Sequence, residues 1–365
     1  MLGGPYIRAL GLTAVFAVGV CTSPVSMVKR NPIFAPALER NFPDRSIMKA
    51  RDGTHYSYST AAGGGIDMQA AHSEDGLTWD FQEGRGVIAT WTIKWAPEHP
   101  QIWAPDVVLG PNGTYTMFFS AKALMAKDQR HCIGVATAYS PMGPFMSIGD
   151  EPWVCDEVGD IDPKQFIDDG GSRWVIWKVD GNTEGHESTP IMLQQVAMDG
   201  YTKVGDARPI FDRGPSDGEL VEAPSLFKAN GVFFLTFSAN WYNQCAYFTS
   251  YATSTNIWGP YERAEEPLLT EENTDGICGP GGADVLYGDS DSSRIIVWHG
   301  WKDGTPESGE RYLYSAPLQV VGDVLHVRKD DPISASVLDD IDDVSSAIGF
   351  FSAIALENTD DVSGS

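Results

Sequence analysis

The chain has 365 residues with 42% hydrophobic content, enough for one large domain or two ordinary ones around a sizeable core. Fifty acidic against 25 basic residues leave a formal net charge of −25. That balance excludes a nucleic-acid partner gripped through its phosphates and suits a secreted, soluble protein.

Arg8 precedes an apolar run over 9–20, and the small and polar residues Cys21-Thr22-Ser23 follow it. This is the n-region, h-region and exit of a secretory signal peptide, assigned to 1–23. The run is short for a membrane span and no other stretch is apolar enough, so a secreted, extracellular protein with no membrane association is expected. Without Cys21 four cysteines remain: Cys132, Cys155, Cys245 and Cys278. Two disulfides are expected, with three possible connectivities. Cys132–Cys155 and Cys245–Cys278 are favoured, because each pair lies within or between adjacent units of the repeat described next. None of the four has zinc-ligand spacing. Asn112-Gly113-Thr114 is an N-glycosylation sequon in a turn.

Five carboxylates then recur at nearly one interval: Asp44, Asp106, Asp162, Glu222 and Asp284, separated by 62, 56, 60 and 62 residues. Each opens a unit of the same grammar: an apolar strand, a tight polar turn, then an aromatic-rich strand. In the second unit these are Val107-Val108-Leu109, Pro111-Asn112-Gly113 and Tyr115-Thr116-Met117-Phe118-Phe119. The fourth runs through Leu226-Phe227, Asn230-Gly231 and Val232-Phe233-Phe234-Leu235. Asn-Gly and Asp-Gly turns between such runs are hairpin signals. A third strand follows in most units, as in Phe248-Thr249-Ser250-Tyr251-Ala252, and a weaker edge strand after breaks such as Gly259-Pro260. Four antiparallel strands repeated five times predict an all-β, five-bladed β-propeller, with a two-sheet sandwich as the alternative. In a propeller the five acids would ring one mouth of the central channel, where crowding and burial separate their pKa values.

Asn31-Pro32 with Pro43-Asp44, Trp103-Ala104-Pro105-Asp106, Ile161-Asp162-Pro163, Glu222-Ala223-Pro224 and Gly279-Pro280-Gly281-Gly282 resemble, in order and spacing, the motifs of glycoside hydrolase family 43. The resemblance covers roughly 31–328 and leaves 329–365 as an acidic C-terminal tail. It implies a five-bladed propeller that cleaves arabinose- and xylose-containing plant polysaccharides with inversion. Asp44 is then the general base, Glu222 the general acid, and Asp162 the residue that raises the pKa of Glu222 and orients it. An inverting glycosidase needs two carboxyl groups about 6.5–9.5 Å apart with water between them. Asp106 and Asp284 receive no leading chemical role and are expected to shape the channel.

Two departures from the family pattern stand out. Arg45 follows Asp44 where Pro is usual. Gly282 stands where many members carry a His that supports a channel metal, so metal-independent hydrolysis with no cofactor is expected rather than a central calcium site. His299 is expected to be a packed strand residue. Trp103 and Trp241 are candidate sugar-stacking walls, although core packing competes for each of the eleven Trp. Arg311 matches a family arginine that bonds sugar hydroxyls. Insertions at 84–100 and 302–309 are expected to wall off one end of the groove. The expected activity is therefore exo-acting release of L-arabinofuranose or D-xylose by a monomer. Endo-arabinanase is the enzymatic alternative, and a non-catalytic glycan-binding propeller the alternative of another class.

Overall fold

The computed structural model describes, besides Met1, residues 34–328 except 63–64, 83–85, 127–129, 186–187 and 287–293. The expected signal peptide and acidic tail lie outside the described residues. What is described consists of five four-stranded antiparallel sheets with a few turns of 3₁₀ helix, a five-bladed β-propeller. Blade I holds β1 (Ser46–Lys49), β2 (His55–Ser59), β3 (Gln69–Ser73) and β4 (Asp80–Phe81). Blade II holds β5 (Trp103–Leu109), β6 (Tyr115–Lys122), β7 (His131–Ala138) and β8 (Met146–Ser147). Blade III follows with β9 (Asp160–Ile167), β10 (Arg173–Val179), β11 (Ile191–Val196) and β12 (Lys203–Phe211). Blade IV has β13 (Val221–Ala229), β14 (Val232–Ala239), β15 (Phe248–Ser254) and β16 (Glu262–Arg263). Blade V has β17 (Gly281–Leu286), β18 (Arg294–Trp301), β19 (Arg311–Val321) and β20 (Val324–Val327).

The innermost strands β1, β5, β9, β13 and β17 touch in sequence, and β17 returns to β1. The ring closes through the segment before β1. There the amide of Ala37 donates to the carbonyl of Leu313 and that of Phe42 to the carbonyl of Arg311, both on β19. Apolar packing follows the same division, with a separate buried cluster at each of the five seams between neighbouring blades. Met48 and Tyr58 meet Phe119 between blades I and II, and Phe118 meets Trp177 between II and III. Phe166 meets Leu226 between III and IV, and Phe227 meets Trp298 between IV and V. Val297 meets Ile47 between V and I. One blade has too little apolar surface to form a core alone, so the seams bind the repeat into one unit.

Both disulfides have the favoured pairing, Cys132–Cys155 and Cys245–Cys278. The sequon turn at Asn112 is exposed. Among the described residues no helix is long and apolar enough to cross a membrane.

The inner strands share a device that the acid spacing conceals. In β5, β9, β13 and β17 two residues oppose one partner: Ala104-Pro105, Asp162-Pro163, Ala223-Pro224 and Gly282-Ala283. The first residue of each pair has positive φ, and Asp44 does the same just ahead of β1. These left-handed residues, 44, 104, 162, 223 and 282, are 60, 58, 61 and 59 positions apart, a tighter repeat than the acids themselves. A bulge resets the alternation of side chains along a strand. The five acids are therefore not equivalent, which corrects the single ring expected from the sequence. Asp44 and Asp162 are the left-handed residues, Glu222 precedes its bulge, and Asp106 and Asp284 follow theirs.

Candidate active site

Asp44, Asp162 and Glu222 line one pocket of about 340 Å³ at the channel mouth, near the lower end of the ~300–1,000 Å³ typical of ligand sites. Every blade contributes to it: Thr60 with Asp44 from I, Trp103 from II, Asp162, Asp180 and Asn182 from III, Glu222, Trp241, Tyr242 and Tyr247 from IV, and Arg311 from V. All the residues singled out for catalysis or sugar binding thus converge here.

Asp44 is held as an anion. Arg311 grips it with both guanidinium ends, Nη1 to Oδ1 at 2.9 Å and Nη2 to Oδ2 at 3.3 Å, and Thr60 Oγ1 donates to Oδ2 at 3.0 Å. Such fork-to-fork pairing is the strongest ordinary contact a carboxylate makes. Arg311 lines the pocket while its fork is engaged on Asp44. The His299 ring lies beneath, with Nδ1 3.3 Å from the Asp44 amide nitrogen and 3.5 Å from Oδ1. Burial first, and then the charges of Arg311 and Arg45, drive His299 far below the usual imidazole range, so it is neutral at working pH.

Glu222 has a different setting. Tyr247 donates its hydroxyl to Oε1 at 2.9 Å, and the buried Lys178 ammonium donates to Oε2 at 3.0 Å. The same ammonium lies 3.2 Å from Asp180 Oδ1. Asp162 accepts from the Ala223 amide at 2.9 Å. Burial, and next the neighbouring Glu222 charge, push Asp162 up to about 7 against the pull of Lys178. Asp162 retains its proton up to about neutrality.

Trp103 takes in blade II the position that Glu222 takes in blade IV, immediately before the bulge. It is 37% exposed and stacks on His131 with ring centroids 3.6 Å apart. Burial lowers His131 to about 4, so the partner ring is uncharged and apolar in character. Trp241 is anchored by its Nε1, which donates to Glu219 at 2.8 Å. Tyr242 sits beside it under the Arg311 guanidinium, 4.9 Å away. The loop carrying both aromatics is tied by the Cys245–Cys278 disulfide.

The two insertions do not form the walls expected of them. Neither contributes a described residue to the pocket lining. The first packs outward on blade II, where Ala89 bonds Phe145, Leu124 bonds Trp95, and Trp95 stacks on Phe119. The second closes on itself, Lys302 bonding Glu310.

Beneath the pocket, Asp106 and Asp284 face a buried cation from their own chain. Lys164 Nζ lies 2.8 Å from Asp284 Oδ2, 3.5 Å from Asp106 Oδ1 and 3.1 Å from the Arg45 carbonyl. Ser225 donates to Asp284 at 2.8 Å, and Gln165 donates to Asp106 through its amide and side chain. Burial raises Asp106 to about 6, with Lys164 opposing. Arg45, also buried, donates to the carbonyls of Gly281 and Gly282 and has two further nitrogens unpartnered.

These residues do not fit a central calcium ion. The position between the carboxylates belongs to an ammonium, and the unsatisfied groups nearby are donors, which repel a metal. A side chain at Gly282 would meet the His299 ring at 3.0 Å. No group of three His, Cys, Asp or Glu able to hold a metal occurs among the described residues.

Sequence reasoning missed Lys178, Tyr247, Thr60 and Lys164. The available signal was Lys178 inside the apolar run Trp174-Val175-Ile176-Trp177-Lys178-Val179. A lysine there must be buried with a counter-charge.

The sequence profile of Glycosyl hydrolases family 43 matches residues 30–315. The chain belongs to that family. Within the family landscape it is 27% identical over 249 residues to a xylosidase/arabinosidase 43B of Humicola insolens, covering 67% of this chain but only 44% of that enzyme. It is 26% identical over 259 residues to an extracellular endo-α-(1→5)-L-arabinanase of Bacillus subtilis, covering 64% and 72% of the two chains. In structure it is similar to a thermostable family-43 glycoside hydrolase with a TM-score of 0.69 and 24% identity, covering 80% and 95% of the two chains. That last likeness bears on the fold alone.

Proposed function

We propose that this family 43 glycosidase is a secreted, inverting enzyme. It releases L-arabinofuranose or D-xylose from the ends of plant arabinan, arabinoxylan or their oligosaccharides. The observation that carries the reading is the unequal charge setting of three carboxylates around one pocket. Asp44 is clamped as an anion by Arg311, while Glu222 sits beside an Asp162 that retains a proton to about 7.

Asp44 accepts a proton from water as its oxygen attacks the anomeric carbon. The glycosidic C–O bond breaks, and Glu222 delivers its proton to the departing oxygen. Asp162 bears on the charge of Glu222 and fixes the backbone beside it by accepting from the Ala223 amide. Trp103 and Trp241 flank the sugar, and Arg311 holds the base in register. A 340 Å³ pocket walled by all five blades suits a terminal sugar better than a long chain. The names of the Humicola and Bacillus relatives support the substrate class, and the Bacillus name with the two disulfides supports an extracellular site.

The test is proton NMR of products from arabinan and xylo-oligosaccharides, with Glu222→Gln in parallel. Free pentose, appearing first as the anomer opposite to the cleaved linkage, is expected. A ladder of oligosaccharides would mean endo-arabinanase action. Absence of turnover would favour a glycan-binding propeller, and full turnover by Glu222→Gln would remove the acid assignment.

A further inference from the structure

Resting on the reading of Glu222 as general acid, we propose that Lys178 is a positioning residue that moves between Glu222 and Asp180 during each turnover. It sits on Asp180 while Glu222 is protonated and returns to Glu222 as the proton leaves.

The geometry already holds both ends of that movement. Lys178 is fully buried, yet its ammonium lies 3.0 Å from Glu222 Oε2 and 3.2 Å from Asp180 Oδ1, so a small displacement exchanges the stronger partner. A buried ammonium cannot turn to water and needs a carboxylate in either state. A protonated Glu222 offers it no charge, and Asp180, on the strand end beyond Val179, does.

The other charged or titratable groups facing this cluster come from every side. Asp162 lies on blade III and Tyr247 precedes β15 of blade IV. Asp44 and Arg311 face it from blades I and V. His131 on blade II senses the charge of Asp180. Burial and the nearby carboxylates hold the Tyr247 hydroxyl well above its ordinary value, so it stays a fixed donor and does not compete for the proton.

In the chemical step the O–H bond of Glu222 breaks, its hydrogen joins the leaving oxygen as the C–O bond opens, and a carboxylate remains. The returning ammonium stabilises that carboxylate as its charge develops, which is where stabilisation lowers a barrier. A proton from solvent restores Glu222 once product departs, and Lys178 moves back to Asp180.

The test is the pH dependence of kcat/KM for Lys178→Met and Asp180→Asn in the full chain, on aryl glycosides with poor and good leaving groups. Removing the ammonium is expected to move the basic limb upward by about 1–3 pH units. It should also cut kcat on the poor leaving group by about 10–100-fold, and less on the good one, with KM little changed. Asp180→Asn is expected to move the basic limb downward, because the ammonium then stays on Glu222. Opposite shifts support the proposal. Limbs that stay in place, or move together, overturn it. If Lys178→Met does not fold, the downward shift in Asp180→Asn decides alone. Glu222→Gln separates the two layers: full activity there removes the acid reading itself. Impaired activity there, with unmoved limbs in the other two variants, removes only the role of Lys178.

Discussion

Replacing Lys164 by Met tests whether the floor of the channel is held by charge. Methionine keeps the apolar stem and deletes the ammonium between Asp284 at 2.8 Å and Asp106 at 3.5 Å. At an effective dielectric near 20, each such pair has a gross attraction of about 4–6 kcal/mol, offset by the cost of burying the ions. Removing one partner of a buried set typically costs about 3–5 kcal/mol, because the remaining charges have no counter-ion. For some 295 residues (34–328) at about 2.1 cal/mol/K each, that corresponds to a Tm lower by about 5–8 °C at pH 8. The pH dependence has a definite sign. Burial already lifts folded Asp106 from 3.8 to about 6, and losing Lys164 lifts it further. Folding then takes up protons as pH falls, so the variant regains stability toward pH 5 and the gap to wild type narrows. Calorimetry across pH 5–8 measures it. An equal Tm loss at both ends would mean that the loss is packing. No loss would mean that the carboxylates need no counter-charge. A triple variant, Lys164→Met with Asp106→Asn and Asp284→Asn, should recover most of the loss.

Asp44→Asn is expected to lower kcat by about 10²–10⁴-fold with a small change in KM, read by steady-state kinetics. Trp103→Ala should raise KM by roughly 2–10-fold, the worth of an aromatic face, while leaving the pH profile in place. Because the Asp162–Glu222 pair must hold a proton to act, wild-type kcat should fall about tenfold per unit above pH ~7, measured on substrates of constant charge. Replacing Cys245 and Cys278 by Ala should cost about 3–4 kcal/mol for a 33-residue loop and, by loosening the Trp241–Tyr242 wall, raise KM before any loss of fold. Denaturant melts and kinetics on the same sample separate the two effects.

The five blades were legible because each strand pattern is local: Val107 to Leu109, an Asn-Gly turn, then Tyr115 to Phe119 form a hairpin in sequence and in space. Asp162 and Glu222 were legible because their motifs carry the bulge prolines Pro163 and Pro224, and Asp44 because Pro43 precedes it. What the sequence concealed are contacts made across the ring. Lys164 on blade III reaches Asp284 on blade V, and Arg311 reaches Asp44 over 267 positions. No spacing rule reports such pairs. The insertions misled for a related reason. Length alone does not say which way a loop packs, and Trp95 drew the first one onto Phe119 of its own blade.

The bulge explains why five similar motifs yield unequal acids. Two residues opposing one shift the side-chain alternation, so adjacent positions along the same motif serve different depths of the channel. Like the left-handed Asp44 ahead of β1, a residue at or before the bulge, such as Asp162, Trp103 or Glu222, faces the pocket. A residue just after it, such as Asp106, Lys164, Ser225 or Asp284, enters the floor. Proline as the second bulge residue fixes φ and donates no hydrogen, which suits a position outside the ladder. In blade V that place holds Ala283, and in blade I, where no bulge interrupts β1, Arg45 follows the left-handed Asp44. Arg45 then bonds the backbone of the blade V bulge at Gly281 and Gly282, so both exceptions fall at the seam where the ring closes. Asp44 and Arg311 meet across that same seam. The position of Asp44, the base in the proposed mechanism, is therefore tied to closure of the propeller, and weakening the Arg45 contact should disturb catalysis before it unfolds the other blades. Arg45→Met checks this, since methionine keeps the apolar stem and removes the single nitrogen, Nη2, that donates to both carbonyls. A fall in kcat with an unchanged far-ultraviolet spectrum is expected, and an unchanged kcat would uncouple ring closure from the base.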